Sequence, residues 1–310
     1  MSTFVNDNSE LRSGWKFAFY LLLFGNFWLA TGAAISFLAD PSIVSNEIGF
    51  LAINALGLAA PAILALAFII RFVDRVPFAT FGTGRHEGMG RDFLFGMLIA
   101  AGMLTIFGLT SAATGGLTIE TAPHADGFWG RFIVVVILLG VSAFNEELVF
   151  RGYPMQILMK GIGPVPAVLV MSGLFGLLHY LNPNATWLGT FNVFLAGVLL
   201  SAAYLRTRSL WFPFGIHIGW NLGLGPIFGF PVSGLTISSI WASQGLGADW
   251  VTGGEFGPEG GVLGTLAIMV AVVAVRWTRS VGVSPTLRTL LLRYSNKVYT
   301  GPGIHLDKPA

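Results

Sequence analysis

Long apolar segments separated by short polar ones dominate the chain. Eight of them approach the run of about 20 apolar residues that a helix needs to cross a bilayer. They are residues 15–38, 49–70, 93–113, 128–150, 164–181, 186–205, 211–230 and 260–277. We therefore expect an all-α, polytopic membrane protein: a bundle of about eight transmembrane helices.

The positions of the basic residues predict how these segments are threaded. If the N-terminus is cytoplasmic, every Lys and Arg except Arg131 falls in a cytoplasmic loop, a cytoplasmic helix end or the C-terminal tail. The opposite loops contain acidic residues instead: Asp40, Glu47, Glu120, Asp126, Asp249, Glu255 and Glu259. Such an asymmetry is what the positive-inside rule predicts. We expect a multi-pass protein of the cell (inner) membrane with both termini in the cytoplasm.

Composition supports this class and excludes others. The chain is 54% hydrophobic and 10% charged, whereas soluble domains are about one quarter charged. It has no cysteine, which excludes disulfides, thiolate metal sites and cysteine nucleophiles. The net charge of +2 predicts no nucleic-acid partner. Membrane lipids are expected partners because of the apolar segments.

We find no internal repeat and no long linker, and therefore expect residues 1–310 to form a single membrane domain. Residues 279–310 are expected to form its basic cytoplasmic tail. The longest polar stretch, residues 231–259, is rich in Gly and Ser and is expected to be an external loop.

A few polar side chains interrupt the apolar segments. They are Glu146, Glu147 and Arg151 in the fourth segment, His179 in the fifth, and His217 with Asn221 in the seventh. Ionisable groups at membrane depth are costly and usually face a cavity and one another, so they indicate function by default.

Helical geometry divides these residues into groups. Glu147 and Arg151 are four residues apart and can pair on one face, while Glu146 is rotated about 100° away and stays free. His217 and Asn221 point the same way for the same reason. A strip of small residues on another side of the seventh segment permits close helix packing: Gly215, Gly219 and Gly223.

A free carboxylate, two imidazoles and an amide suit the hydrolysis of an acyl bond by water. Burial strengthens Glu146 as a base, an imidazole can hold the water or protonate the leaving amine, and the Asn221 amide can stabilise an oxyanion. Glu146, His179 and His217 could instead ligate a divalent metal such as zinc with an open water position. The residues alone leave both mechanisms open.

At these positions the sequence resembles the CAAX prenyl protease and bacteriocin-processing (CPBP, ABI) family of intramembrane endopeptidases. The shared motifs lie within residues 142–221. They are Glu146-Glu147-x-x-x-Arg151, Phe175-x-x-x-His179, His217-x-x-x-Asn221 and the approach Arg206-Thr207-Arg208-Ser209-Leu210-Trp211, in which Arg208 replaces the family's glycine.

The resemblance implies an eight-helix endopeptidase whose catalytic core is residues 142–221. In it, Glu146 and His179 activate water, Glu147 and Arg151 support the site, and His217 and Asn221 stabilise the oxyanion. Both glutamate-dependent and metal-dependent mechanisms are associated with this family. The expected substrate is a peptide or membrane protein, with or without a lipid group, cut near the cytoplasmic leaflet.

Two other function classes fit the residues. A membrane scaffold or bacteriocin-immunity-type binding protein would keep the same fold and use the polar set to preserve its shape. A proton-coupled transporter would use the carboxylates as a relay, but the absence of a repeat and the few polar residues elsewhere disfavour it.

Depth along the helices adds a structural expectation. At about 1.5 Å per residue, Glu146 lies about 27 Å from the outer start of its segment, and His217 about 9 Å and His179 about 22 Å from the cytoplasmic start of theirs. Straight, upright helices could not bring them together. We therefore expect the fourth segment to continue past Arg151, the fifth to begin below the membrane, and residues 182–184 to break the helix beside a cavity.

Overall fold

The computed structural model describes residues 3–5, 10–114 and 116–301, without the side chain of Val44. The last part of the expected tail, residues 302–310, lies outside the described residues. The described chain is mostly helical. Its α-helices are α1 (Ser13–Leu38), α2 (Pro41–Val44), α3 (Glu47–Phe68), α4 (Met89–Ala113), α5 (Phe128–Arg151), α6 (Tyr153–Ile162), α7 (Pro164–His179), α8 (Trp187–Thr207), α9 (Trp211–Leu222), α10 (Asp249–Thr252), α11 (Val262–Trp277) and α12 (Pro285–Arg293).

Shorter elements extend or connect these helices. π-Helical turns continue α3 and α9, and 3₁₀ turns lie in three loops. The π turns are Ile69–Val73 and Gly223–Phe228, and the 3₁₀ turns are Phe78–Phe81, Gly254–Phe256 and Pro258–Gly260. Two strands, β1 (Leu117–Thr121) and β2 (Trp241–Gly245), form an antiparallel pair in which Leu117 faces Gly245.

The predicted fold class is confirmed: every predicted apolar segment contains a helix. The matching helices are α1, α3, α4, α5, α7, α8, α9 and α11. By length and composition, five described helical stretches can cross a membrane, and the stretch from Phe128 to Ile162 includes both α5 and α6. α7 and α11 are apolar but shorter, and α9 ends at Leu222 before a π turn that contains Pro226. The small strand pair was not predicted.

Helices α4 and α9 pack with almost no space between their backbones. A Cβ atom on Gly96 of α4 would lie 2.5 Å from the carbonyl oxygen of Phe212, and one on Gly215 would lie 2.2 Å from that of Phe93. The predicted strip of small residues on α9 is therefore an interface with α4. This contact fixes the position of the helix that contains His217.

The fourth predicted segment does continue beyond Arg151. It is interrupted at Gly152 and resumes as α6, most of whose residues are buried. The amide of Gly152 still donates to the carbonyl of Leu148 at 3.2 Å, and a Cβ there would lie 2.3 Å from that same oxygen. Glycine therefore permits the tight junction between α5 and α6.

The polar stretch 231–259 is partly buried against the helices. Val232, Ile237, Phe256 and Glu259 are buried, and the amide of Gly234 donates to the carbonyl of Phe256 at 2.9 Å. This segment folds back onto the helices because its apolar side chains join their packing. The external position of this segment stays a prediction, and the structure adds that the segment is packed against the helices.

The described part of the C-terminal tail is packed against the bundle. Helix α12 buries Leu287 and Leu291, and the Ser284 hydroxyl accepts a bond from the Leu287 amide at 3.3 Å, which caps the helix. Arg206 donates to the carbonyls of Thr278 and Val281. These contacts join the chain after α11 to the end of α8.

Candidate active site

The last turns of α5 contain a buried ion pair. Arg151 Nη1 donates to Glu147 Oε1 at 3.0 Å, and the two side chains are 1% and 0% exposed. Arg151 Nη2 also donates to the carbonyl of Gly197 on α8 at 3.3 Å, and the guanidinium lies 4.5 Å from the ring centre of Phe175. The predicted pairing of Glu147 with Arg151 is confirmed, and it connects α5, α7 and α8.

Glu147 has a second partner that the sequence did not reveal. His217 Nδ1 donates to the same Oε1 atom at 2.8 Å. Because a carboxylate oxygen can only accept, the hydrogen lies on Nδ1 and the ring is held with Nε2 turned away from Glu147. Helix α9 is thereby joined, through His217, to the Glu147–Arg151 ion pair of α5.

The second imidazole is oriented in the same manner. His179 Nδ1 donates to the carbonyl of Phe175, one turn earlier in α7, at 2.8 Å. The ring of Phe175 covers that imidazole with 4.5 Å between ring centres. His179 Nε2 is left without a protein hydrogen bond among the described residues and faces α5.

Both Nε2 atoms approach one oxygen of Glu146. The distances to Glu146 Oε2 are 3.9 Å from His179 and 3.7 Å from His217, which are too long for direct hydrogen bonds. Within the described chain Oε2 is buried and has no hydrogen-bond partner, while Oε1 lies 3.5 Å from the hydroxyl of Ser142. A buried acceptor without a donor is unfavourable, so this oxygen indicates a place for water or a ligand.

These groups line a cavity of about 830 Å³. Glu146, His179, His217 and Asn221 all contribute to its wall, and Trp28, Leu29 and Leu58 are among the apolar residues that α1 and α3 add. The structure therefore brings four of the six predicted site residues to one surface. The other two, Glu147 and Arg151, are buried within α5 and hold His217 and the packing of α8.

The turn after α7 lies at the same cavity, as the depth argument predicted. Asn182 lines the cavity, and its backbone amide donates to the carbonyl of His179 at 3.1 Å. Asn184 has a positive φ of 56°. This turn ends α7 at the cavity, where His179 can meet Glu146.

The donor types of this site suit zinc, but their spacing is wider than that of a formed metal site. Two nitrogens and one carboxylate oxygen are ligands that zinc accepts, with a fourth position open for water. Ligands about 2.05 Å from a tetrahedral ion lie about 3.3 Å apart, so Glu146, His179 and His217 would have to move inward by roughly half an ångström. As they stand, no three His, Asp or Glu side chains in the described residues form a metal cluster.

Sequence reasoning missed a second carboxylate in the cavity wall, that of Glu259. Glu259 is 9% exposed and accepts bonds from Trp220 Nε1 at 3.0 Å and from the amide and hydroxyl of Ser233 at 2.7 and 2.6 Å. A signal was available in the glycines around it. A Cβ on Gly257 would lie 2.0 Å from the carbonyl oxygen of Pro231, which is typical of closely packed backbone and not of a solvated loop.

Comparison with known proteins locates the similarity in this region. Residues 128–223 match the family model described as "Type II CAAX prenyl endopeptidase Rce1-like", and all six predicted site residues lie within that range. A longer alignment, 24% identical over 253 residues, is to "Uncharacterized protein YyaK" of Bacillus subtilis (strain 168). It covers 72% of this chain and 81% of that protein.

Proposed function

We propose that this chain, which contains an Rce1-like domain at residues 128–223, is an intramembrane endopeptidase that uses Glu146 to activate water. One observation carries the proposal. Within the described residues, Glu146 Oε2 has no hydrogen-bond donor, is buried, and is faced by two imidazole Nε2 atoms at 3.7 and 3.9 Å. A carboxylate so placed is a ready base for a water molecule in the cavity.

The reaction follows from the hydrogen-bond pattern. A water bound to Glu146 transfers a proton to that carboxylate as its oxygen bonds to the carbonyl carbon of the substrate. His179 can orient this water through its free Nε2, because its Nδ1 is occupied by the Phe175 carbonyl. The carbon–nitrogen bond then breaks, and Glu146 passes the proton to the departing amine.

His217 and Asn221 suit the developing oxyanion. Glu147 accepts from His217 Nδ1 and would stabilise the imidazolium form, as a buried carboxylate does for a catalytic histidine. A protonated His217 donates from Nε2 into the cavity, and the Asn221 amide lines the same wall one turn later. Donors fixed before the reaction lower the barrier without reorganisation.

A metal-dependent form of the reaction would use the same residues. Glu146, His179 and His217 would hold the ion, which would supply a polarised water. The glutamate-dependent and metal-dependent mechanisms are distinguished on purified protein by metal analysis and by cleavage assays before and after chelation. Unchanged cleavage by metal-free protein supports the glutamate mechanism, and restoration by added zinc supports the other.

The cavity suggests how a substrate reaches the site. Its walls include Trp28 and Leu29 of α1, Leu178 of α7 and Leu181 just after it, and all four of these side chains are exposed. We propose that a peptide or a membrane-protein segment, with or without a lipid group, enters from the bilayer here. The charge asymmetry supports an inner-membrane location with cytoplasmic termini and cleavage near the cytoplasmic leaflet.

The test is cleavage of CAAX peptides, farnesylated and unmodified, by reconstituted protein. Glu146→Gln keeps the size of the side chain but removes the base, and should lower kcat by about 10²–10⁴-fold. Glu120→Gln, at an exposed position of β1, makes the same chemical change as a control. Cleavage by Glu146→Gln at the wild-type rate would refute the proposal.

A scaffold or immunity-type protein is the second candidate, because the Glu147, Arg151 and His217 network would stabilise the same fold without catalysis. It does not explain the unpaired Glu146 oxygen. Genetic complementation separates the two functions: full rescue by Glu146→Gln would support the scaffold.

A further inference from the structure

We infer that Glu259 is a positioning residue that braces the two histidine-bearing helices from the side of the cavity formed by the 231–261 segment. Its effect on catalysis rests on the proposed function, whereas its effect on helix position rests on geometry alone. Glu259 has no cationic partner among the described residues. Its carboxylate is instead satisfied by three neutral donors, which is how a buried charge without an ion pair can be tolerated.

One oxygen of this carboxylate holds α9. Glu259 Oε1 accepts from Trp220 Nε1 at 3.0 Å, and Trp220 lies three residues after His217. Residues three apart on a helix are neighbours on its surface. Both side chains line the cavity, so the bond fixes the rotation of α9 one turn beyond the imidazole.

The other oxygen holds the end of α7. Glu259 Oε2 accepts from the amide and the hydroxyl of Ser233. The carbonyl of Ser233 accepts from Asn182 Nδ2 at 3.1 Å, and the Asn182 amide donates to the carbonyl of His179 at 3.1 Å. A continuous chain of hydrogen bonds thus leads from Glu259 to the second imidazole residue.

The backbone of Glu259 is itself anchored. Asn192 Nδ2 on α8 donates to the carbonyls of Glu259 and Gly261 at 2.8 and 2.9 Å. The hydroxyl of Thr265 on α11 donates to Asn192 Oδ1 at 2.7 Å. The carboxylate therefore extends from a fixed point, and a fixed point is what a brace between two helices requires.

The donor pattern demands a carboxylate. Trp220 Nε1 and the Ser233 amide can only donate, so each needs an acceptor oxygen on a different side of the group. Glutamine offers one oxygen and one amino group, which would place a donor against a donor at one of the two positions. Glu259→Gln should therefore release either α7 or α9 while it preserves side-chain size.

Loss of the brace should appear as a loss of alignment between the imidazoles and Glu146. A misplacement of about 1 Å at a reacting group can lower a rate about 10²-fold. We expect Glu259→Gln to lower kcat by about 10–100-fold, with little change in KM because the apolar walls that bind substrate remain. Glu255→Gln, at an exposed position of the same segment, is the matched control and should retain full activity.

Helix position can be measured without any substrate. The chain has no cysteine, so Leu177→Cys on α7 and Ile227→Cys beyond α9, both exposed, accept a pair of spin labels without background. The distance distribution between the labels should be narrow in the otherwise unchanged protein and with Glu255→Gln. It should broaden or shift with Glu259→Gln.

If Glu259→Gln does not fold, variants that each break one of the two connections of Glu259 still test the inference. Trp220→Phe removes only the bond to α9, and Asn182→Ala only the link to α7; each should broaden the distribution and lower kcat more than KM. Unchanged distributions in folded variants would overturn the inference. Broadened distributions combined with full cleavage by Glu146→Gln would leave the brace standing and refute the proposed function instead.

Discussion

Replacement of Glu147 by alanine should destabilise the protein far more than replacement of its neighbour Glu146. Arg151 is 1% exposed, and without Glu147 its partners among the described residues would be the Gly197 carbonyl and the rings of Phe150 and Phe175. Removal of one partner of a buried ion pair costs about 3–5 kcal/mol. His217 Nδ1 would lose its acceptor as well, so we expect a loss at the upper end of that range.

Glu146→Ala should change the free energy of unfolding by less than about 1 kcal/mol. The Glu146 side chain is 20% exposed, and its buried oxygen makes no protein hydrogen bond within the described residues. Its removal therefore breaks little and relieves an unsatisfied acceptor. The measurement is reversible unfolding of both variants in mixed micelles, with cleavage recorded on the folded fraction.

A double substitution separates charge from packing. Glu147→Leu combined with Arg151→Met replaces the ion pair by apolar side chains, a change that is often neutral or stabilising in other buried pairs. We expect it to recover most of the lost stability but not the activity, because His217 would still lack its acceptor. Wild-type stability of Glu147→Ala, or an equal loss in Glu146→Ala, would refute this assignment of the two carboxylates.

Three further changes test other contacts. Gly215→Val should prevent folding or lower the free energy of unfolding by more than about 3 kcal/mol, because even a Cβ there lies 2.2 Å from a carbonyl oxygen of α4. Gly102→Ala, with open space around it, is the control and should change it by no more than about 0.5 kcal/mol; thermal unfolding compares the two variants. Phe175→Leu should lower the free energy of unfolding by about 1–2 kcal/mol, because it removes the ring that faces the Arg151 guanidinium. The same unfolding assay measures this loss. Burial holds the pKa of His86 below its ordinary value, so the unfolded chain binds the proton more readily than the folded protein. The free energy of unfolding should therefore fall as pH drops below about 6.5. A pH series checks this, and His86→Asn should make the fall shallower.

Local periodicity explains which features the sequence predicted. The apolar runs predicted helices because a bilayer requires continuous apolar length, and the Glu147–Arg151 pair followed from a spacing of four on one helix. The same rule placed Gly215 on a different side of α9 from His217. None of these inferences requires knowledge of how one helix sits against another.

Contacts between distant segments explain what remained hidden. The bond between His217 and Glu147 joins residues 70 positions apart, and its register depends on the close approach of α4 and α9 at Gly96 and Gly215. Glu259 looked like a solvated loop residue because its partners, Trp220 and Ser233, are separated from it by 39 and 26 positions. Hydropathy records the lengths of helices but not these pairings.

The adjacency of Glu146 and Glu147 lets one helix turn hold both a structural carboxylate and one that faces the cavity. Successive residues of a helix point about 100° apart, so one carboxylate can be buried in a structural network while the next faces the cavity. Glu147 Oε1 holds both Arg151 and His217, and the distance from His217 Nε2 to Glu146 Oε2 is therefore set by a residue only one position away from Glu146. Movement of α9 relative to α5 is resisted at the point where His217 Nε2 lies 3.7 Å from Glu146 Oε2. A supporting acid elsewhere in the chain could bind the same imidazole, but it could not fix Glu146 and the imidazole to the same turn of helix.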